Sequence, residues 1–341
     1  MRSFDYRRAD SLAAAREGLG EAAQIIAGGT NLLDLMKLQV MTPKQLLDIN
    51  RVPGLREITE TENGLKIGAL VSNSDLAADP RIRSDYPVLA RAILAGASGQ
   101  IRNKATTGGN FLQRTRCPYF YDTSMACNKR QPGSSCTAIG GISRMTAILG
   151  VSEHCIAAHP SDMAVAMRAL DARLDVADAT GDVRQVGMDE LYCLPGERPD
   201  IETTLAPDDI ITAVHLPQKQ SGAVHVYRKV RDRASYAFAL VSVAAIVTRR
   251  EQRIATAALA FGGIGSRPWR NSEVDEMLAG EVPGEPLFAA AADRLLAEAR
   301  TEEGNAFKTR LTRRTMISVL REATGLEPAS VGTDRVEESA A

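Results

Sequence analysis

Residues 22–37 read AAQIIAGGTNLLDLMK. An apolar run ends in Gly28-Gly29-Thr30-Asn31, and an amphipathic helical period begins at once, so the stretch predicts strand, tight turn, helix. Upstream, FDY predicts a strand and Asp10 a helix N-cap, with the helix running through Leu19. Downstream, QLLDI predicts a further short strand. Helices connect these strands, so residues 1–55 form a small α/β unit whose strands run parallel. In the turn at 28–31, free backbone N–H groups and the helix dipole would favour an anionic group. A plain βα turn with glycine for conformational freedom explains it equally well.

The next segment changes character. REITETENGLKIGAL predicts a hairpin turning at Asn63-Gly64, followed by helices around SNSDLAAD and YPVLARAILAGAS. A second small, polar, glycine-rich loop then appears in IRNKATTGGNF, with Gly108 and Gly109 flanked by Thr106, Thr107 and Asn110. Two such loops could converge on one diphosphate, since small residues permit close approach while hydroxyls and amides donate. The pair points to a dinucleotide without separating flavin from nicotinamide. Further on, HPSDMAVAMRALDA predicts a helix begun by Ser161 or Asp162; Asp162 reads as a cap more readily than as a ligand group. RLDVADATGDVRQVG predicts a hairpin, and APDDIITAVHLP a strand bounded by Pro207 and Pro217. The unpatterned QKQSG places a boundary near 218–222. Three strand-like runs beginning at AVHVYRKV predict an antiparallel sheet, with helices after it. Lys229 and Arg233 read as an exposed strand edge or as basic groups beside an apolar sheet.

Four of the five cysteines, Cys117, Cys127, Cys136 and Cys155, fall in one loop without sustained periodicity. A segment this long needs something to order it. Structural zinc usually takes close pairs, whereas the intervening gaps here are nine, eight and eighteen residues. Disulfides suit small secreted proteins better than a 341-residue chain with 44% hydrophobic content. A [4Fe-4S] cluster tolerates wide, irregular spacing, and four unrelated buried thiols remain open on spacing alone. Arg114, Arg116, Lys129, Arg130 and Arg144 lie in or beside the loop, where they could offset a cluster's negative charge or form a solvated face. Cys193, in LYCLPG, reads as an ordinary buried thiol.

Charge is balanced, 41 Lys and Arg against 42 Asp and Glu, which argues against nucleic acid or an anionic membrane as a partner. The N-terminus lacks the apolar run of a signal peptide, and no 18-residue apolar stretch occurs. A cytoplasmic chain is expected, or a periplasmic one exported with a partner carrying a twin-arginine signal.

IAGGTNLLDLMK, IRNKATTGGN, HPSDMAVAMRALDA, LAPDDIITAVHLP, and YRKVRDRASYAFALVSVAA followed by AFGGIGSRPWR together resemble the flavin subunit of the molybdenum hydroxylases, the family of xanthine dehydrogenase, aldehyde oxidoreductase and carbon monoxide dehydrogenase. The resemblance implies an α+β fold. A two-part, PCMH-type FAD-binding domain would comprise the small α/β unit (1–55) and a larger mixed unit (56–220) containing the 117–155 loop. A C-terminal domain (221–325) of a three-stranded antiparallel sheet and a helix bundle would follow; beyond the resemblance, residues 326–341 hold few apolar side chains and read as a flexible tail. It implies FAD contacts at Ile26, Ala27, Gly28, Gly29, Thr30, Asn31, Leu32, Leu33 and Asp34, at Thr106, Thr107, Gly108, Gly109 and Asn110, and at Asp162, Ile211 and Lys229. The cysteine loop resembles the bacterial aldehyde oxidoreductase branch, whose flavin subunit carries an extra [4Fe-4S] cluster. The 4-hydroxybenzoyl-CoA reductases, with the same kind of insertion, are the alternative within the family. By this resemblance Cys117, Cys127, Cys136 and Cys155 hold the cluster. The chain then transfers electrons within a heterotrimer, from a large molybdopterin subunit through a small subunit with two [2Fe-2S] clusters to FAD and an external acceptor. No catalytic residue for the substrate is expected on this chain. A stand-alone flavin oxidase is the reading from a different class.

Overall fold

A computed structural model describes residues 1–20 and 23–326. The first unit contains β1 (Asp5–Arg8), α1 (Leu12–Gly18), β2 (Ala23–Ile26), α2 (Leu32–Lys37) and β3 (Gln45–Asp48). Its strands form a parallel sheet in the order β1-β3-β2, as helical connections require. Ala15, Leu47, Ile49, Val52 and Leu55 bury its apolar face, and Leu70 and Ile210 of the next unit join them. The cap of α1 is Ser11, whose Oγ accepts from the Ala14 amide at 3.1 Å; the expected cap, Asp10, lies one residue too early to reach that amide.

The second unit runs through β4 (Ile58–Thr61), β5 (Gly64–Gly68), α3 (Asn73–Ala78), α4 (Pro80–Asp85), α5 (Pro87–Ala95), α6 (Gly99–Arg102), α7 (Thr107–Phe111), α8 (Pro118–Tyr121), α9 (Asp162–Ala169), β6 (Arg173–Ala177), β7 (Val183–Gly187) and β8 (Ile210–Pro217). Its five strands pair antiparallel in the order β4-β5-β8-β6-β7. The first hairpin turns at Glu62-Asn63, one residue before the expected place, because Gly64 already pairs with Thr61 and with Pro217. Glycine is needed there for a close approach: a Cβ would lie 2.1 Å from the Leu216 carbonyl oxygen, at a φ of +132°.

The third unit is an antiparallel sheet, β11-β10-β9, made of β9 (Val224–Val230), β10 (Val241–Arg250) and β11 (Arg253–Gly262). The helices α10 (Ser272–Leu278), α11 (Glu285–Leu296) and α12 (Phe307–Thr324) complete it. Strand β10 is buried from Val241 through Val247, which explains its unbroken apolar sequence. Val241, Val243, Ala245 and Val247 face Phe288, Leu295 and Met316 of the helices, whereas Ala244 and Ile246 join the core of the second unit around α5 and α9. The sheet is thus sandwiched, and the units share a continuous interior. The Lys308 ammonium is fully buried and donates to the carbonyls of Thr146 (2.8 Å) and Gly263 (2.6 Å), tying α12 to the end of the cysteine loop. Burial lowers its pKa to about 7. The tail expected from 326 falls, from residue 327, outside the described residues.

Candidate functional site

The two glycine loops meet. Gly28 leaves β2 so close to the segment before α7 that a Cβ on it would lie 1.9 Å from the Lys104 carbonyl oxygen. Between the loops and the later strands opens a cavity of about 1130 Å³. Ile26, Ala27, Gly28, Gly29, Thr30, Asn31, Leu32 and Asp34 line it from the first loop, and Thr106, Gly108, Gly109 and Asn110 from the second. Asp162, Ile211 and Lys229 line it too.

Two of the expected contacts stand apart. Thr107 is fully buried, its hydroxyl donating to the Val71 carbonyl at 2.9 Å, so it fastens α7 to the segment between β5 and α3 instead of facing the cavity. Leu33 lies beneath Gly29, with its Cδ1 3.0 Å from where a Cβ on that glycine would sit, and is absent from the cavity wall.

The loops differ in their donors. The amides of Gly28 through Asn31 find no acceptor among the described residues, and the buried Asn31 Nδ2 is also without a partner. The Asn31 Oδ1 accepts the Arg114 amide at 3.0 Å, which fixes the orientation of the side-chain amide. In the second loop the amides are used: Thr107 and Gly108 donate to Val71 and Ala69, and Gly109 donates to the Thr106 Oγ1 at 3.3 Å. The first loop is therefore the donor cradle and the second its facing wall. An unpaired buried donor is costly unless something in the cavity accepts from it.

Asp162 is not the cap of α9; Ser161 is, accepting from the Ala164 amide at 2.9 Å. Asp162 instead forms a buried ion pair with Lys229 at 2.7 Å and accepts the Tyr227 hydroxyl at 2.6 Å. Their side chains are 9% and 4% exposed, so Lys229 is no exposed strand edge. Arg233 is exposed and donates to the Tyr236 carbonyl at the mouth of the cavity.

Sequence reasoning missed several groups in the wall. Glu202 bridges Lys129 (2.9 Å) and Arg114 (3.2 Å); burial raises its pKa, but the two cations prevail and hold it below the usual range. Its only signal was an acid in an unpatterned stretch, which any surface loop would show. The His159 ring stacks edge-on against Tyr192 at 4.8 Å, its buried Nε2 lacks a partner, and burial lowers its pKa to about 4. The Nδ1 of the neutral ring accepts the Ser161 amide at 3.4 Å, which leaves Nε2 as the N–H donor.

All four loop cysteines are free thiols, as is Cys193. Cys127 and Cys136 face each other across an isolated backbone bridge. Burial, above all, raises the pKa of Cys117, to which Cys127 and Cys136 add. Burial pushes Cys155 up to about 11 against the opposing charge of Lys129, with Cys136 and Cys117 adding to the rise. The four thiols are thus electrostatic neighbours, although among the described residues no three His, Cys, Asp or Glu side chains converge to hold a single metal ion. Cys155 and Cys193 also line the large cavity. The basic residues beside the loop are committed to protein groups: Arg144 pairs with Asp232, and Arg130 holds the carbonyls of Tyr119 and Phe120 at 2.9 Å.

Residues 2–219 match the FAD binding domain in molybdopterin dehydrogenase, and residues 225–323 the CO dehydrogenase flavoprotein C-terminal domain. The aldehyde oxidoreductase FAD-binding subunit PaoB of Escherichia coli is 52% identical over 95% of this chain and 99% of its own. The glyceraldehyde dehydrogenase medium chain of Sulfolobus acidocaldarius is 27% identical over 86% and 88%. In fold, the chain is similar to a carbon monoxide dehydrogenase chain of Hydrogenophaga pseudoflava, with a TM-score of 0.75, 22% identity, and coverage of 96% of this chain and 99% of that one. With a donor cradle and facing wall in its first two units and the sandwiched sheet in its third, the chain belongs to the FAD-binding medium subunits of the molybdenum hydroxylase family.

Proposed function

We propose that this chain is the FAD- and [4Fe-4S]-binding electron-transfer subunit of an aldehyde-oxidising molybdenum enzyme. Its partners on this reading are a large molybdopterin subunit and a small subunit with two [2Fe-2S] clusters. The observation that carries the FAD part is the contact of Gly28 with Lys104, which brings two small-residue loops onto one cavity of about 1130 Å³. The open amides of 28–31 and the Asn31 Nδ2 are suited to a diphosphate, and the apolar Ile26 and Ile211 to a ring system. Ile26 to Asp34 except Leu33, the cavity-facing residues of 106–110, and Asp162, Ile211 and Lys229 would hold the cofactor. Bound there, FAD would supply reversible electron transfer, while the chain's own residues exclude water and set the charge around it. The relation to the Escherichia coli aldehyde oxidoreductase subunit supports an aldehyde as the substrate of the assembled enzyme.

The four thiols fit the cluster in chemistry. A single zinc ion needs its ligands around one point, whereas a cube takes one thiolate at each of four separated corners. Cys117 senses Cys127 and Cys136, and Cys155 senses Cys136 and Cys117, so the four sulfurs are near enough to share one centre, whose binding would displace their protons. No described helix is long and apolar enough to cross a membrane. Anaerobic purification with flavin, iron, sulfide and zinc analysis tests the reading: it requires one FAD and about four irons and four sulfides per chain. Flavin with zinc in place of iron would leave the flavin subunit intact and overturn the cluster.

A further inference from the structure

We infer that Glu202 is a positioning residue that couples the cysteine loop to the flavin cavity, so that each site's order depends on the other's. This rests on the FAD and [4Fe-4S] reading above. The first link is in the diphosphate cradle, where the Asn31 Oδ1 accepts the Arg114 amide at 3.0 Å. The Arg114 side chain then reaches Glu202 twice, from Nε to Oε2 at 3.2 Å and from Nη2 to Oε1 at 3.4 Å. The same Oε1 also takes Lys129 at 2.9 Å, and Lys129 lies within the cysteine loop, donating also to the Pro199 carbonyl at 2.9 Å. The Lys129 charge is felt at Cys155. A parallel link runs through an aromatic ring: the Arg114 guanidinium lies over Phe120 at 4.7 Å, and Phe120 is buried with Cys127 and with Leu35 of α2.

Glu202 belongs to neither loop. It sits between β7 and β8, its backbone fixed by the Cys193 amide donating to its carbonyl at 3.1 Å, and its side chain is 23% exposed. Arg114, Lys129, Glu202 and Cys155 all line the same cavity. One carboxylate therefore holds two cations, one from the segment that follows the second glycine loop and one from the cysteine loop. Without its charge, Lys129 and Arg114 repel each other across the cavity wall, and both loops lose a shared anchor. The wall also gains a unit of positive charge, which favours the more negative, reduced flavin.

The test uses the full chain with its cofactors, as wild type, Glu202→Gln and Glu202→Asp. Flavin midpoint potential is measured by spectroelectrochemistry, and iron release to a chelator is timed with FAD present and after its removal. The expected results for Glu202→Gln are a midpoint shifted in the positive direction, loss of the protection that FAD gives the cluster, and iron release about fivefold faster or more. Glu202→Asp, which keeps the charge, should restore most of both. A Glu202→Gln protein that melts earlier while its potential and its FAD-dependent iron release match wild type would reduce Glu202 to a structural role and overturn the inference. Wild type that binds FAD but no iron would instead overturn the cluster reading, and this inference with it.

Discussion

Gly28→Ala and Gly109→Ala should separate the two jobs of the glycine loops. A Cβ at Gly28 would stand 1.9 Å from the Lys104 carbonyl oxygen and 2.7 Å from its carbon, both backbone atoms that no rotamer change can move aside. Ordinary contact begins at 3.4 Å, so the loops must part by about 1.5 Å, an overpacking that costs about 1–3 kcal/mol. The damage falls on both the cofactor-free protein and FAD affinity, because the separation of the loops is the width of the site. Melting should drop by a few degrees, and FAD binding should weaken roughly 10- to 100-fold at 1.4 kcal/mol per decade. At Gly109 the atom a new Cβ would meet outside its own helix backbone, among the described residues, is the Thr106 Oγ1, at 3.0 Å, and the position lines the cavity. Cofactor-free Gly109→Ala should therefore melt within about 0.5 kcal/mol of wild type and still lose FAD affinity. Thermal melts of the cofactor-free proteins and titration of each with FAD, followed by flavin fluorescence, give both quantities. A Gly28→Ala protein with wild-type melting and wild-type affinity would refute the close-approach argument.

Further outcomes follow from the same geometry. Lys229→Met strands the Asp162 carboxylate beside the Tyr227 hydroxyl and should cost about 3–5 kcal/mol in denaturant unfolding, while Asp162→Asn with Lys229→Met should cost less than the two single changes summed. His159 and His225 both have folded pKa values of about 4 against an ordinary 6.5, so the unfolded chain binds more protons between those values. Their stabilising contribution is complete above about pH 6.5 and lost as pH falls toward 4, amounting to about 2 kcal/mol per ring at pH 5. His159→Asn should flatten the fall in urea midpoint between pH 7 and 5, and an unchanged slope would contradict the assignment. Cys155→Ser should lower iron content and the reduced-state EPR signal, whereas Cys193→Ser should leave both intact; the reverse pattern would show the ligand set to be misassigned.

The backbone plan was open to reading because it depends on local patterns. AAQIIAGGTN announces strand and turn through an apolar run and two glycines, and the parallel sheet follows from helical connections. VSVAAIV likewise betrays a strand buried on both faces. Errors of one residue, at Ser11 and at Glu62-Asn63, arise where two polar neighbours compete for a cap or a turn and the tertiary contact decides. The site was less legible. Asp162 and Lys229 drew notice singly, but the bond between them joins positions 67 residues apart and leaves no periodic trace. Glu202 gave no more signal than any acid in an unpatterned loop, because its significance is created by Arg114 and Lys129 arriving from elsewhere in the chain. Thr107 and Leu33 sit inside the expected motifs yet turn away from the cavity, since alternate positions on a tight turn and its helix must also fasten that helix down.

The central claim is that this chain carries electrons for chemistry performed on another subunit. The most direct test is anaerobic absorption spectroscopy of the purified chain with aldehyde added, first alone and then with the two partner subunits proposed above. The account predicts that the visible flavin band persists in the chain alone and bleaches once the molybdenum-bearing partner and the small subunit are present. Bleaching by aldehyde in the chain alone, with no molybdenum in the sample, would contradict it.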